Sequence, residues 1–306
     1  MVSLVVALVA VLLLGLALAA GWFGDLVALA LPLVTWVSVA GTLAALLIAP
    51  DWVIVPLSLA IVSVLLVVWP RRPTRAEAPT RSIHIVAANI QFDSPDPDAG
   101  VASVLAMDAD VLVVSELRPG PDEQLTDAYP FRLVSPPTKF ETHTPTVQGV
   151  FSRIPITLLD PPDDVPGEIM RVAVGGDIPF TLYAMHLPRP VLRHPPPNLT
   201  TFPGHRRMLS ALIKAVDAED GPVVATGDLN LSDRMSGYRD LAQGRLDVMR
   251  TGRAASTFHK TLVWRLLLFR IDHLVVSLEW GATDAQTLDI GGSDHRAVSA
   301  RIGPTT

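Results

Sequence analysis

The chain has 306 residues, enough for one large catalytic domain or two ordinary ones. Its formal charge is −6, and beyond residue 70 it carries 24 basic against 28 acidic residues (30 in all, less Asp25 and Asp51), which argues against a dedicated duplex-DNA binder with a basic footprint. The mean hydropathy of +0.39 is high for a soluble enzyme, and the excess lies in the N-terminal part, which lacks Lys and Arg up to residue 70.

Three apolar runs fill residues 1–70: Val2–Ala20, Leu26–Pro50 and Val53–Trp69. Each meets the roughly 20 apolar residues, about 17–25, that a helix needs to cross a bilayer. They predict three transmembrane helices, over 2–20, 26–50 and 53–69, separated by tight turns at Gly21–Asp25 and Pro50–Trp52. Trp22, Trp52 and Trp69 stand near run ends, where indole rings favour the interface. A cleaved signal peptide is the alternative for the first run, with Ala17-Leu18-Ala19 as its cleavage site. Its N-terminus lacks the expected positive charge, and two further apolar runs follow at once. Arg71, Arg72, Arg75 and Arg81 follow the third run, so the positive-inside rule places the rest of the chain in the cytoplasm of an integral membrane protein. A transporter would need ionisable residues inside the spans, and the predicted spans contain none.

Residues 71–81 are Pro-rich and charged and read as a linker. A folded domain is expected over 82–306. It opens with the apolar run Ile83–Ile90, which carries Asn89. Asp96-Pro97 then supplies an N-cap and a first-turn proline for a helix to Met107, and Val111–Leu117 follows, rich in β-branched residues. Strand–helix–strand favours a parallel or mixed sheet. Shorter strand-like runs lie at Val147–Phe151, Arg171–Val174, Phe180–Met185, Val223–Thr226, Ile271–Ser277 and Ala297–Ile302, with a helical period over His205–Val216 and a proline-rich loop from Leu187 to Gly204. Many strands and few helices suggest two packed sheets flanked by helices.

Six polar clusters sit on or just after these runs: Asn89, Glu116, His186, Asp228 with Asn230, Asp272, and Asp294 with His295. Several have a plain structural reading. Glu116 alone is a surface acid beyond a sheet edge. Asp228-Leu229-Asn230 is a strand-ending turn, although alternate residues of an extended chain share a face and would bring Asp228 and Asn230 together. His186 is a satisfied structural histidine, and Asp272 is a carboxylate that would fix the tautomer of an imidazole. As a set they supply carboxylate and amide oxygens for a hard divalent cation, a base for water and a cation for phosphoryl oxygens.

In order, AANI with Asn89, VSEL with Glu116, SRIPI at Ser152–Ile156, MHLP with His186, GDLN with Asp228 and Asn230, RIDH with Asp272, and SDHR with Asp294 and His295 resemble the endonuclease/exonuclease/phosphatase superfamily, the DNase I-like fold. With apolar helices ahead of it, the chain looks like the membrane-anchored bacterial members. The resemblance implies a four-layer α/β sandwich: two mixed β-sheets flanked by helices and preceded by three transmembrane helices. It implies Glu116 as the main Mg²⁺ ligand (Mn²⁺ being the alternative ion), helped by Asn89 and Asp294. Asp228 would orient or deprotonate water, Asn230 would hold the phosphate, and His186 would contact the phosphate or assist the leaving group. His295, backed by Asp272, would stabilise the transition state. Ser115 departs from the pattern, in which Gln commonly precedes the metal-binding Glu.

The expected activity is metal-assisted attack of water on a phosphodiester or phosphomonoester, with a nucleic acid or a phospholipid headgroup as substrate. The alternatives are a non-specific nuclease, a sphingomyelinase-like phosphodiesterase, and an inactive membrane-tethered binding module. The lipid bilayer is the expected partner, through the N-terminal helices, and no protein partner is expected. The apolar stretch Thr261–Phe269 reads as core, with a lipid-touching loop as the alternative.

Overall fold

The computed structural model describes residues 21–118, 123–137, 146–161, 169–191, 201–252, 255–259 and 266–306, with scattered positions before residue 21. The apolar N-terminal part forms a hairpin of two helices. The first, α1, spans Trp22–Ile48 and the second, α2, spans Ile54–Val68, joined through a short 3-10 turn at Pro50–Trp52. Both are long and apolar enough to cross a membrane, α2 together with its flanking turns. Among the described residues there are two such helices rather than three, and the expected first span over 2–20 falls largely outside them.

The apolar side chains of the hairpin point outward, including Leu33, Leu43, Leu47 and Ile61, and its tryptophans Trp22, Trp52 and Trp69 are exposed near its ends. Hydroxyls that would be stranded in an apolar setting fold back on their own helices: Thr35, Thr42, Ser58 and Ser63 each donate to the carbonyl four residues earlier.

The helix boundary corrects one expectation. Gly21–Asp25 is not a turn; α1 starts at Trp22 and takes Asp25 into its first turn, so the apolar helices do contain an ionisable residue. Asp25 is buried, and it accepts from Arg206 Nη1 at 2.8 Å, Ser236 N at 2.8 Å and Ser236 Oγ at 2.9 Å. Pro32 lies inside α1 and has no N–H for the carbonyl of Ala28, and that carbonyl accepts instead from Arg234 Nε at 3.1 Å. The hairpin is therefore held to the folded domain by polar groups of its own helix.

The expected linker is also docked rather than loose. Arg71 reaches Asp233 and the carbonyl of Leu268, Thr74 N donates to Arg250 O, and the carbonyl of Glu77 accepts from Ala282 N.

Among the described residues the domain has twelve strands. One sheet contains β1 (Ile83–Asn89), β2 (Val111–Leu117), β3 (Phe131–Val134), β4 (Val147–Ser152), β11 (Trp280–Asp289) and β12 (Arg296–Pro304), in the order β11-β12-β1-β2-β4-β3. The other contains β5 (Ile156–Leu158), β6 (Met170–Val174), β7 (Phe180–His186), β8 (Val223–Asp228), β9 (Arg245–Asp247) and β10 (Asp272–Ser277), in the order β5-β6-β7-β8-β10-β9. Each sheet has one parallel pair at its centre, β1 with β2 and β7 with β8, among antiparallel neighbours. Both sheets are mixed, as expected.

The helices α3 (Pro97–Ala106) and α4 (Glu123–Ala128) cover the outer face of the first sheet, and α5 (Phe202–Asp217) and α6 (Ser236–Ala242) that of the second. Asp96 caps α3 as the sequence predicts, its side chain accepting from Ala99 N at 3.1 Å. Side chains alternate across the strands. Ile85 and Ala87 enter the core between the sheets, while Val86 and Ala88 pack under α3. Both faces are buried, which is why these strands read as unbroken apolar runs.

Candidate active site

The pairing registers bring the six clusters together. The parallel strands β1, β2, β7 and β8 end at one edge of the sandwich and deliver Asn89, Glu116, His186 and Asp228 there. The antiparallel neighbours β10 and β12 begin at that edge, so Asp272 pairs with Asp228 and His295 immediately precedes β12. Glu116, His186, Asp228, Asn230, Asp294 and His295 line one cleft of about 660 Å³, with Asn89 and Asp272 bonded behind them.

Glu116 reaches the cleft through a backbone irregularity. The pairing of β2 with β4 slips between Val114 and Leu117, and Glu116 has φ of 58°, in the left-handed region where a non-glycine residue is strained. Its Oε1 accepts from Asn89 Nδ2 at 2.9 Å and lies 3.7 Å from His186 Nε2, and its Oε2 accepts from Phe92 N at 3.2 Å.

Asp228 and Asn230 converge, but not as alternate residues of an extended strand. Asn230 has φ of 48°, and its N–H donates to Asp228 Oδ1 at 2.8 Å, so a tight side-chain-to-backbone turn joins them. The Asn230 amide donates to Leu187 O at 2.9 Å and to Asp228 Oδ2 at 3.3 Å. Asn89 Nδ2 bridges Glu116 and Asp228, at 2.9 and 3.0 Å. The Asn89 oxygen is held by Gln91 N at 3.0 Å, so the metal-ligand role expected of it requires the amide to rotate.

His295 Nδ1 lies 3.0 Å from Asp272 Oδ2, and its Nε2 lies 3.8 Å from Asp228 Oδ2 and 3.9 Å from Asp294 Oδ1. Burial disfavours the imidazolium, but the carboxylates of Asp272 and Asp228 outweigh it and hold the His295 pKa at about 10. Burial, reinforced by Asp272, pushes Asp228 up to about 7 against the opposing pull of His295. Burial lowers the pKa of His186, in part against the Glu116 charge, and keeps the ring neutral.

Among the described residues, two groups of ligand atoms lie within 4.8 Å of one another: Glu116 with His186 and Asp228, and Asp228 with Asp272 and His295. The first fits a divalent cation, offering two carboxylates and a neutral imidazole. The second contains the charged His295, which has no lone pair to offer a metal, so it is the poorer cation site.

Sequence reasoning missed several residues that shape the site. Gln91, at φ of 57°, accepts from Asp294 N at 2.8 Å, and Ser293 Oγ donates to Asn89 O at 2.7 Å, tying the start of β12 to the end of β1. Thr257 Oγ1 accepts from the N–H groups of Ile271 and Asp272, and Phe258 stands edge-on to the His295 ring at 5.1 Å. Ser293 lay inside a quoted motif. Gln91, Thr257 and Phe258 carry no local signal.

Residues 86–295 match the model of the Endonuclease/Exonuclease/phosphatase family. No curated protein sequence matches the chain. Solved structures share the fold at low identity. An endonuclease/exonuclease/phosphatase from Beutenbergia cavernae is 18% identical, with a TM-score of 0.52 over 73% of this chain and 72% of its own. The 3′ phosphatase NExo from Neisseria, bound to a product DNA hairpin, is 19% identical, with a TM-score of 0.53 over 71% and 98%. An AP endonuclease from Archaeoglobus fulgidus is 15% identical, with a TM-score of 0.54 over 71% and 98%.

Proposed function

Because the chain belongs to the endonuclease/exonuclease/phosphatase family, whose members are metal-dependent hydrolases of phosphoester bonds, we propose that it is a membrane-anchored, Mg²⁺-dependent phosphoesterase working at the Glu116–Asp228–His295 cleft. Mn²⁺ is the alternative ion. The observation that carries this reading is the gathering of Glu116, His186 and Asp228 within 4.8 Å, beside the Asp272–His295 pair. An inactive binding module would leave such carboxylates without a reason to share one buried site.

In the reaction, water adds to phosphorus, one P–O ester bond breaks, and the departing oxygen takes up a proton. Asp228, with its pKa near 7, is suited to orient the water and accept its proton close to neutral pH. His295 is charged at that pH and offsets the negative charge that spreads over the phosphoryl oxygens. Asp272 holds the His295 ring by Nδ1. Asn230 holds Asp228 and, by releasing its long 3.3 Å bond, donates to the phosphate. His186 presents a neutral imidazole on the Glu116 side. A divalent cation held by Glu116 would supply Lewis-acid polarisation; His186 and Asp228 are the donors gathered with Glu116, and the family resemblance adds Asn89 and Asp294.

The hairpin supports anchoring, since its outward face is apolar along its length. The test is turnover of a chromogenic bis-nitrophenyl phosphate diester by the full chain in detergent, with and without Mg²⁺. Glu116→Ala and His295→Ala should each abolish it while circular dichroism is unchanged. Wild-type-like turnover in either variant overturns the assignment.

A further inference from the structure

The cleft has a wall that comes from outside the domain. Leu29, in the second turn of α1, lines it together with Glu116, Asp228, His295, Phe269 and Ile271. Leu29 is placed there by the docking of α1 on both sides of it, through Asp25 to Arg206 and Ser236 and through the Ala28 carbonyl to Arg234. Arg234 also donates to the carbonyls of Leu267 and Leu268 and stands over the Phe269 ring at 5.7 Å, so the hairpin and the Phe269 wall are fastened by one guanidinium.

Leu29 also begins a lane. Residues at i+4, i+7, i+14 and i+18 fall on the same side of a helix. From Leu29 these are Leu33, Trp36, Leu43 and Leu47, which are 56%, 46%, 60% and 87% exposed. Trp36 Nε1 donates to Leu266 O at 2.9 Å, so the segment leading to Phe269 follows the same lane. The described end of the Thr261–Phe269 stretch is thus at the hairpin's flank rather than in the core. Residues 261–265, with Trp264, lie outside the described residues.

We propose that the cleft takes the phosphodiester of a membrane phospholipid, whose hydrocarbon lies along the Leu29–Leu47 lane. This rests on the phosphoesterase reading above. The lane joins phosphate chemistry at one end to an exposed apolar helix face at the other. Charge agrees. Among the described residues lining the cleft, Arg189 is the one Arg or Lys, enough for a single headgroup, whereas a polynucleotide needs basic side chains tracking its backbone. Water would cleave one P–O ester bond, giving a phosphomonoester and an alcohol that carries the proton.

The test uses the full chain reconstituted in vesicles of phosphatidylethanolamine and phosphatidylglycerol with Mg²⁺, beside plasmid DNA and the chromogenic diester. Cleavage of vesicle phospholipid with the plasmid intact is expected. Leu29→Asp, and Leu33→Asn one turn further along the exposed lane, should each lower the ratio of lipid to chromogenic turnover by about tenfold or more, the scale of one buried leucine. Chromogenic turnover without lipid turnover, preference for the plasmid, or an unchanged ratio in both variants overturns the proposal and leaves the phosphoesterase reading standing. Failure to cleave any of the three substrates overturns both.

Discussion

Asp272 Oδ2 lies 3.0 Å from His295 Nδ1; Asp272 begins β10 of one sheet and His295 immediately precedes β12 of the other, and the two buried residues meet where the sandwich closes. The pair acts as one unit, since the carboxylate orients the ring and sustains its charge. Asp272→Asn and His295→Gln should each lower kcat/KM about 10²–10⁴-fold, the range for a positioned catalytic group. The double variant should lose little more than His295→Gln alone. Additive losses in steady-state kinetics on the chromogenic diester would show that the two residues act separately.

Glu116 carries the cation in this reading. Glu116→Gln keeps its shape but removes the charge, so the Mg²⁺ concentration for half-maximal activity should rise about tenfold or more, in the range found for altered metal shells. The Mg²⁺-dependent rise in thermal midpoint should shrink in parallel, because a ligand stabilises only the fold that binds it. An unshifted Mg²⁺ titration would remove Glu116 from the metal site.

Gly227 precedes Asp228 with φ of 134°, and a Cβ there would meet the Met185 carbonyl oxygen at 2.0 Å. Both backbone strands are fixed by pairing between β7 and β8. Gly227→Ala should therefore cost about 3 kcal/mol or more, strain and overpacking together. Urea unfolding in detergent measures it, and a midpoint within error of wild type would refute the backbone argument.

Asp25 joins the hairpin to the domain by accepting from Arg206 and from both donors of Ser236. Asp25→Ala leaves a buried N–H without a partner, worth about 1–3 kcal/mol. Limited proteolysis should then cut faster between the hairpin and the domain. Equal cleavage rates would mean that the docking does not depend on this contact.

Two buried histidines clamp the loop that carries Asn230. His205 Nε2 bonds Leu229 O at 2.9 Å and His273 Nε2 bonds Leu231 O at 2.6 Å, and both Nδ1 atoms are buried without a partner. Burial lowers both pKa values, that of His273 to about 4. Each folded pKa lies below the unfolded value near 6.5, so the unfolded chain binds protons that the fold refuses. Stability is full above pH of about 6.5, falls as the pH drops from there towards the folded values, and levels off below them. For His273 the loss approaches about 3 kcal/mol near its folded pKa. His273→Gln should flatten this dependence in urea titrations between those limits. An unaltered pH profile would exclude His273 as the source.

Much of this was legible in the chain. The apolar runs gave most of the central strands, because residues buried on both faces leave an unbroken pattern, and Asp96-Pro97 marked the start of α3 through a local cap. The short strands β3, β5 and β9 left no such trace, being only 3–4 residues long. The start of α1 was misplaced because Gly21 and Asp25 look like turn residues. The buried partners of Asp25 lie about 180 and 210 residues away, beyond any local reading.

By itself, the sequence determined the local matters: where chain is apolar, where helices can start, and that oxygen and imidazole donors fall at strand ends. Only the tertiary structure decided that these ends share one edge, because parallel β1, β2, β7 and β8 finish where antiparallel β10 and β12 begin. It also decided that a bulge turns Glu116 into the cleft and that Leu29 of an apolar helix forms its wall. The reason is physical. Period and capping act over a few residues, whereas register, bulges and docking depend on pairings between segments far apart in the chain.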